Sequence, residues 1–424
     1  MKPFIFTLIF VLITSPSVFS RDTNDDACAR IIIGYEKSNR DPEFSANYSD
    51  VKECFEEFPY DREIAENTIE TIKKTLQGFF VYLSQAKEEP KQGYSFRPVD
   101  LIKELDALLT KNYTSEFHFM LNIYTLIAEL KDPHLRFLPL CYLRFLYSQQ
   151  LSLYSVINKD KVQIIKVYDD EIDNNNVDCE VTHIDGRPSM EVIKEFADMS
   201  IDLSKDSGAR FNSALAALRI NEIGDRIISS EQFTLRVILP EKSSIEYSLV
   251  CANDVTTTFT REWKIVSKFY DRFNTSEDFR NTFYINNLPP INSVKISNVF
   301  EPKIYNKPMV ECELVYGTLM ATFYILSDNK TGVVVIPNVS PSDNDIVNQI
   351  FELQTGLNIL EERGATNLVL DFHDNSGGFV LLAYFFVYLL FPESSPSFDN
   401  DMVVTELSRA LLEAATSQST AFET

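Results

Sequence analysis

The only adjacent glycine pair in the chain, Gly377-Gly378, lies between an apolar strand-like run, Thr366-Asn367-Leu368-Val369-Leu370-Asp371-Phe372, and the apolar stretch from Phe379 to Phe391. That order reads as strand, tight turn, helix. With strands expected at 310–326 and 332–337 and a helix at about 344–363, it predicts a βαβ layer with any ligand at the carboxyl end of a strand. The run from Phe379 to Phe391 is 13 residues, well short of the roughly 20 needed to span a bilayer, so it reads as a buried helix. Two glycines let backbone pass close to a ligand, and free amides at the helix start can stabilise an oxyanion.

Composition narrows the function classes. The chain has 424 residues, 45% of them hydrophobic, enough to bury more than one core. Its formal net charge of −23 offers no broad footprint for a phosphate backbone, which excludes nucleic-acid binding as the general reading. Met1-Lys2-Pro3, the apolar run Phe4 to Ile13 and the small residues Val18 and Ser20 predict a signal peptide over 1–20, hence a secreted chain with no membrane span after cleavage. In an oxidising compartment Cys28, Cys54, Cys141, Cys179, Cys251 and Cys312 read as disulfide candidates. No C-x-x-C and no short Cys/His spacing supports a zinc site, so neither metal nor cofactor is expected. Cys28 with Cys54 is the expected pair, because both lie in a polar N-terminal segment with little else to hold it. Closing that loop is worth roughly 3 kcal/mol. The pairing of Cys141, Cys179, Cys251 and Cys312 stays open. Sequons at Asn47, Asn112, Asn274 and Asn329 predict glycosylation, with Asn338, followed by Ser340-Pro341, the poorest acceptor.

Along the chain, 63–87 and 99–109 carry apolar residues at helical spacing. A third helix starts near Thr114-Ser115 and is stopped by Pro133, leaving His134 just past a helix end. From Leu135 to about Tyr168 the pattern turns strand-like. Residues 176–255 read as a strand into Ile184-Asp185-Gly186, helices at 189–197 and 208–220, and strands at 232–239 and 245–251, in an order similar to a PDZ module. Residues 256–308 read as a long, mostly irregular connector, and 402–415 as a further helix. The expected divisions are a signal peptide (1–20), an N-terminal helical domain (21–150), a PDZ-like module (151–255), the connector (256–308) and an α/β domain (309–424).

Three features together resemble the tail-specific, or C-terminal-processing, serine peptidases, in particular the chlamydial-protease-factor-like branch and its secreted eukaryotic relatives. They are Asp132-Pro133-His134, the Ile184-Asp185-Gly186 module followed by Ala209-Arg210-Phe211-Asn212, and the strand and turn from Leu368 to Gly378. The resemblance spans roughly 25–395. It implies a multidomain α+β and α/β chain whose last part is an incomplete crotonase-like, or ClpP-like, βαβ layer. It also implies a serine directly after the Gly-Gly turn, a histidine base at His134, oxyanion amides at Gly377 and Gly378, and an acidic partner later in the chain. A serine hydroxyl attacks a peptide carbonyl when a base takes its proton and fixed amides hold the oxyanion.

The nucleophile position departs from this pattern, because Phe379 stands there. Ser376 is the hydroxyl in the turn, three residues earlier, and a misplacement of about 1 Å already costs about 100-fold. The chain also reaches Thr424 without the segment expected to supply the acidic residue. Two functional readings follow: an endopeptidase using Ser376 with His134 as base, or a non-catalytic relative that binds peptide or protein chains in a groove expected between the PDZ-like module and the Gly377-Gly378 turn, with Phe379 filling the nucleophile pocket. A nucleotide-binding layer lacks the third glycine or the P-loop lysine. Of the other histidines, His373 reads as solvated turn polarity, His183 as an exposed strand residue and His118 as a helix residue between Phe117 and Phe119. Substrate and oligomeric state are left open by the sequence.

Overall fold

The computed structural model describes residues 26–215, 232–267, 269–285, 311–318, 320–336, 339, 346–372, 375, 377–394 and 404–419. They fall into two compact units. The first gathers the chain up to 71, 86–216 and 230–293; the second gathers 72–85, 217–229 and 294–424.

The first unit begins with α1 (Ala27–Lys37), α2 (Tyr48–Glu56), α3 (Arg62–Phe79, which runs into the second unit), α4 (Leu101–Leu108) and α5 (Glu116–Ala128). The helix predicted over 63–87 therefore ends at Phe79. Short polar side chains start several of these helices, since they satisfy amides that have no intrahelical acceptor. Asp26 accepts from the Ala29 amide, Asn47 from Ser49 and Asp100 from Lys103. β1 (Leu146–Ser148), β2 (Leu151–Ile157), β3 (Gln163–Asp170), β4 (Glu180–Ile184), β5 (Arg187–Pro188), α6 (Ser189–Ser200), α7 (Ser207–Ala214), β6 (Leu235–Arg236), β7 (Ser244–Val250), β8 (Thr256–Glu262), β9 (Lys264–Val266) and α8 (Ser276–Arg280) complete the unit. Strands β2-β3-β4-β7-β8 form one antiparallel sheet with β5 hairpinned onto β4, and β6-β1-β9 form a second. Asp185 and Gly186 join β4 to β5 with φ of 50° and 73°. Two consecutive left-handed residues are what a two-residue hairpin turn needs, which is why Asp-Gly sits there.

Three sequence readings are corrected in this unit. The connector over 256–308 is structured through 285: β8 pairs along its whole length with β7, β9 pairs with β1, and α8 is capped by Thr275. Thr256-Thr257-Thr258-Phe259-Thr260 is a β-branched edge strand whose exposed face needs no apolar residues, so hydrophobic periodicity does not mark it. Of the strand expected at 232–239, Leu235 and Arg236 pair with β1, and Gln232 bridges back to Leu235. The N-terminal helices are not a domain of their own, because the Ala46 amide donates to the Ile265 carbonyl at 2.8 Å and the Tyr48 hydroxyl to the Pro240 carbonyl at 2.6 Å. Phe55 of α2 likewise packs its ring against Phe117, Tyr142, Phe145 and Phe279. The signal-peptide reading and residues 216–220 of the expected 208–220 helix lie outside the described residues.

Disulfides join Cys28 to Cys54 and Cys179 to Cys251, while Cys141 and Cys312 are free thiols. The second bridge ties the start of β4 to the end of β7.

The second unit contains β10 (Cys312–Gly317), β11 (Thr322–Leu326), β12 (Thr331–Val335), α9 (Ile346–Glu362), β13 (Asn367–Asp371), α10 (Val380–Leu390) and α11 (Glu406–Ser419). The sheet order is β10-β11-β12-β13; β12 and β13 are parallel and are joined through α9, a βαβ unit. Its core is Met320, Phe323, Val334, Ile336, Leu353, Leu360, Leu382 and Phe386 with Ala321. Gly356 lets α9 approach the sheet, since a Cβ there would fall within the Phe323 ring. Among the described residues no helix is long and apolar enough to cross a membrane.

Candidate functional site

The histidine segment is held by cations on both sides. After α5, Lys131 takes a left-handed conformation (φ 53°) that ends the helix ahead of Pro133. Its buried ammonium donates to the carbonyls of Asp198 at 2.5 Å and Ile201 at 3.0 Å, capping the carboxyl end of α6. Burial first, and then the neighbouring Arg210 guanidinium, push the Lys131 pKa down to about 8. On the other side Arg136 pairs with Asp202 at 3.0 Å. Arg210, wholly buried, binds Asp198 at 2.5 Å and the carbonyls of Ser204 and Ser95 at 2.9 and 2.6 Å. The Arg210 of the Ala209-Arg210-Phe211-Asn212 motif is therefore a packing residue of this clamp.

Within the segment, Asp132 Oδ1 accepts the His134 backbone N–H at 2.9 Å and lies 3.0 Å from His134 Nδ1. In the tautomer that donates Nδ1–H to Asp132, Nε2 carries the lone pair a base requires. The imidazole is 91% exposed. His183 is exposed on β4, and His118 on α5 faces Ser115 Oγ at 2.8 Å.

The glycine turn belongs to the second unit. Gly377 and Gly378 have φ of 82° and 140°, backbone that L side chains rarely adopt. Asn375 shapes the entry, donating from Nδ2 to the Ile336 carbonyl at 2.7 Å and accepting the Gly377 N–H at 2.7 Å. Val339 then closes the turn: its amide donates to the Gly377 carbonyl and its carbonyl accepts the Phe379 amide, both at 2.8 Å. Two of the turn's amides are thus consumed by the scaffold. Among the described residues no acceptor takes the amides of Gly378 or Val380, so these are the donors an oxyanion or a chain-end carboxylate would meet. Phe379 is the N-cap of α10, makes no capping bond and is 40% exposed. Its side chain can only offer apolar contact. Ser376 and His373 lie outside the described residues. His134 and the turn sit in different compact units, and each keeps its own geometry.

A third feature is a groove of about 620 Å³ beside β8, lined by residues that include Gln150, Asn176, Thr257, Phe259, Trp263 and Lys264. Among the described strands β8 pairs only with β7, so its other edge carries no further strand among the described residues, and the Arg261 carbonyl accepts from Gln149 Nε2 at 3.4 Å. The groove is braced by a buried fork in which Arg261 donates twice to Asp170, at 3.0 and 2.8 Å. Burial works to raise the Asp170 carboxyl, but hydrogen bonds from Asn176, Arg261 and the Asp173 and Ile172 amides outweigh it and hold the pKa below the usual value. A strand edge that carries no further strand, beside a polar, charge-compensated groove, is suited to an extended peptide backbone.

Asp26, Cys28 and Glu57 bring metal-type ligand atoms within 4.8 Å of one another. The Cys28 sulfur is bonded to Cys54, and Asp26 already accepts from the Ala29 and Ser276 amides, so this cluster is a structural junction. The sequons at Asn47, Asn112, Asn274 and Asn329 are exposed; Asn338 lies outside the described residues.

Sequence reasoning missed Lys131, Asn375 and Val339. Lys131 binds carbonyls 67 and 70 residues away, which leave no mark in sequence. Asn375 was readable as a short polar residue that favours turns.

No curated protein sequence matches the chain. Solved structures that resemble it include mature CPAF complexed with lactacystin, at 13% identity, 76% of this chain, 58% of that chain and a TM-score of 0.45, and mature CPAF, at 14%, 76%, 57% and 0.46. The chain thus spans under two thirds of the length of either structure. Residues 146–270 match the family model of the CPAF-like PDZ domain, a span that takes in β1, β8 and β9.

Proposed function

We propose that this chain is a secreted, glycosylated relative of the tail-specific serine peptidases that binds peptides through its PDZ domain and lacks family-type catalysis. One observation carries the second half of the reading: Phe379, a side chain with no lone pair, follows the Gly377-Gly378 turn where the family's nucleophile is expected. The outer β8 edge and its groove support the first half, with the bound peptide added as a further strand. Exposed sequons and two disulfides agree with export. In this reading the second unit belongs to a crotonase-like layer, His134 occupies the ancestral base position, and the Gly378 and Val380 amides are what remains of the oxyanion site.

The test is fluorophosphonate labelling and casein digestion by the secreted protein beside Phe379→Ser and Ser376→Ala variants. The expected result is no labelling and intact casein for the wild type, with labelling gained in Phe379→Ser. Wild-type labelling that disappears in Ser376→Ala would overturn the reading and install Ser376 as the nucleophile.

A further inference from the structure

One stripe of α1 lines a groove. Ala29, Ile32, Ile33, Glu36 and Lys37 follow the spacing of a single helical face, and together with Asn274 they enclose about 490 Å³. That volume lies within the roughly 300–1,000 Å³ of small-molecule sites. Ala29 and Ile32 are buried, Ile33 is half-buried, and the charged pair Glu36 and Lys37 is exposed. Asn274 is the acceptor of the sequon Asn274-Thr275-Ser276, immediately before α8. Its backbone amide donates to Asp278 Oδ2 at 3.3 Å, which fixes the residue at the helix entry, while its exposed side chain makes no hydrogen bond among the described residues. The other sequons differ. Asn47 Oδ1 accepts from the Ser49 amide and hydroxyl as the N-cap of α2, and none of Asn47, Asn112 and Asn329 lines this groove or the one beside β8.

We infer that a glycan on Asn274 lays its first sugar in this groove and so ties the entry of α8 to α1. The inference rests on the export and glycosylation proposed above, and adds where one glycan lies and what it does. Attachment forms a bond from Asn274 Nδ2 to the anomeric carbon of a lipid-linked oligosaccharide pyrophosphate. The anomeric C–O bond breaks, its electron pair leaves with the lipid pyrophosphate, and one amide proton passes to a base of the transferring enzyme. The tether decides the occupant. A sugar bonded to the groove's own wall meets the surface as an intramolecular ligand, at the roughly millimolar effective concentration of a short link, an advantage no free ligand has. The chemistry agrees, since a pyranose ring offers C–H faces to Ala29, Ile32 and Ile33 and edge hydroxyls to Glu36 and Lys37. The same junction is already held by Asp26, the N-cap of α1, which accepts the Ser276 amide at 2.9 Å and its hydroxyl at 2.7 Å. Because Ser276, the hydroxyl residue of the sequon, is buried there, the sugar is added before α1 and α8 dock.

Peptide mapping of the secreted full-length protein by mass spectrometry, combined with thermal unfolding, tests it. The expected result is sugar on Asn274, a melting temperature about 2–4 °C lower in Asn274→Gln, and a change under about 1 °C in Asn112→Gln. In an Ile33→Gln background, which keeps a good helix former in α1, the drop caused by Asn274→Gln should vanish. A second arm needs no variant to fold. Trimming the wild-type glycans to a single N-acetylglucosamine should hold the melting temperature, and complete enzymatic removal should lower it by about 2–4 °C. An occupied Asn274 whose loss matters no more than that of Asn112, or a drop that persists in full with Ile33→Gln, would overturn the inference. So would a bare Asn274 beside sugar on the other sequons, which leaves the export reading standing. A chain retained inside the cell and bare at every sequon would overturn both.

Discussion

Lys131 offers a test in which the magnitude follows from the structure. The residue is 5% exposed, and its ammonium faces Arg210, Glu129, Asp198 and Asp202. Each pKa unit is worth about 1.4 kcal/mol, so holding the group at about 8 against an ordinary 10.5 places roughly 3 kcal/mol of cost on the folded state while the lysine is charged. Between those two values the unfolded chain binds more protons than the folded one. The cost is therefore full below the folded value and is lost as pH rises toward the unfolded one. Integrated from pH 7 to pH 9, the group should add about 1.3 kcal/mol to stability. Urea unfolding of the wild type and Lys131→Met at several pH values reads this directly. The methionine keeps an apolar stem, removes the titration, and strips a donor from the Asp198 and Ile201 carbonyls, so absolute stabilities differ for two reasons and the slope is the measurement. The buried Cys141 thiol, pushed up to about 12 by burial, titrates in both proteins and cancels in the difference. Stability curves that run parallel from pH 7 to pH 9 would refute the assignment of Lys131 as a buried, clamped cation.

Gly356→Ala should lower stability by about 1–3 kcal/mol, read as a fall in melting temperature, because the new methyl overlaps the buried Phe323 ring and forces helix or ring to shift. Replacing Cys179 and Cys251 together by alanine should cost about 4 kcal/mol in denaturant unfolding, since that bridge closes a sequence separation of 72. A loss under about 1 kcal/mol would mean that β4 and β7 are held by the sheet alone.

The second unit was the most legible part of the sequence. Its strands are apolar runs and its helices are long, so the helix expected at about 344–363 and the strand at 366–372 sit within a few residues of Ile346–Glu362 and Asn367–Asp371. β8 was illegible because threonine satisfies an exposed edge strand without apolar alternation. β1, β6 and β9 are two or three residues long and exist only through partners far along the chain. The glycine turn could be located from residue type, because φ values of 82° and 140° exclude most other residues. Which amides it leaves open could not, since Val339 consumes the Phe379 amide from another segment. His134 and Asp132 were legible as a motif, whereas the clamp of Lys131, Arg136 and Arg210 around them is built from long-range contacts.

The central claim is peptide binding without turnover. Its most direct measurement incubates the secreted full-length chain with a library of peptides bearing free carboxyl termini and follows capture and cleavage of the same peptides by mass spectrometry. The account predicts a captured subset that is recovered intact after prolonged incubation. Cleaved peptides whose formation is blocked by a fluorophosphonate would contradict it.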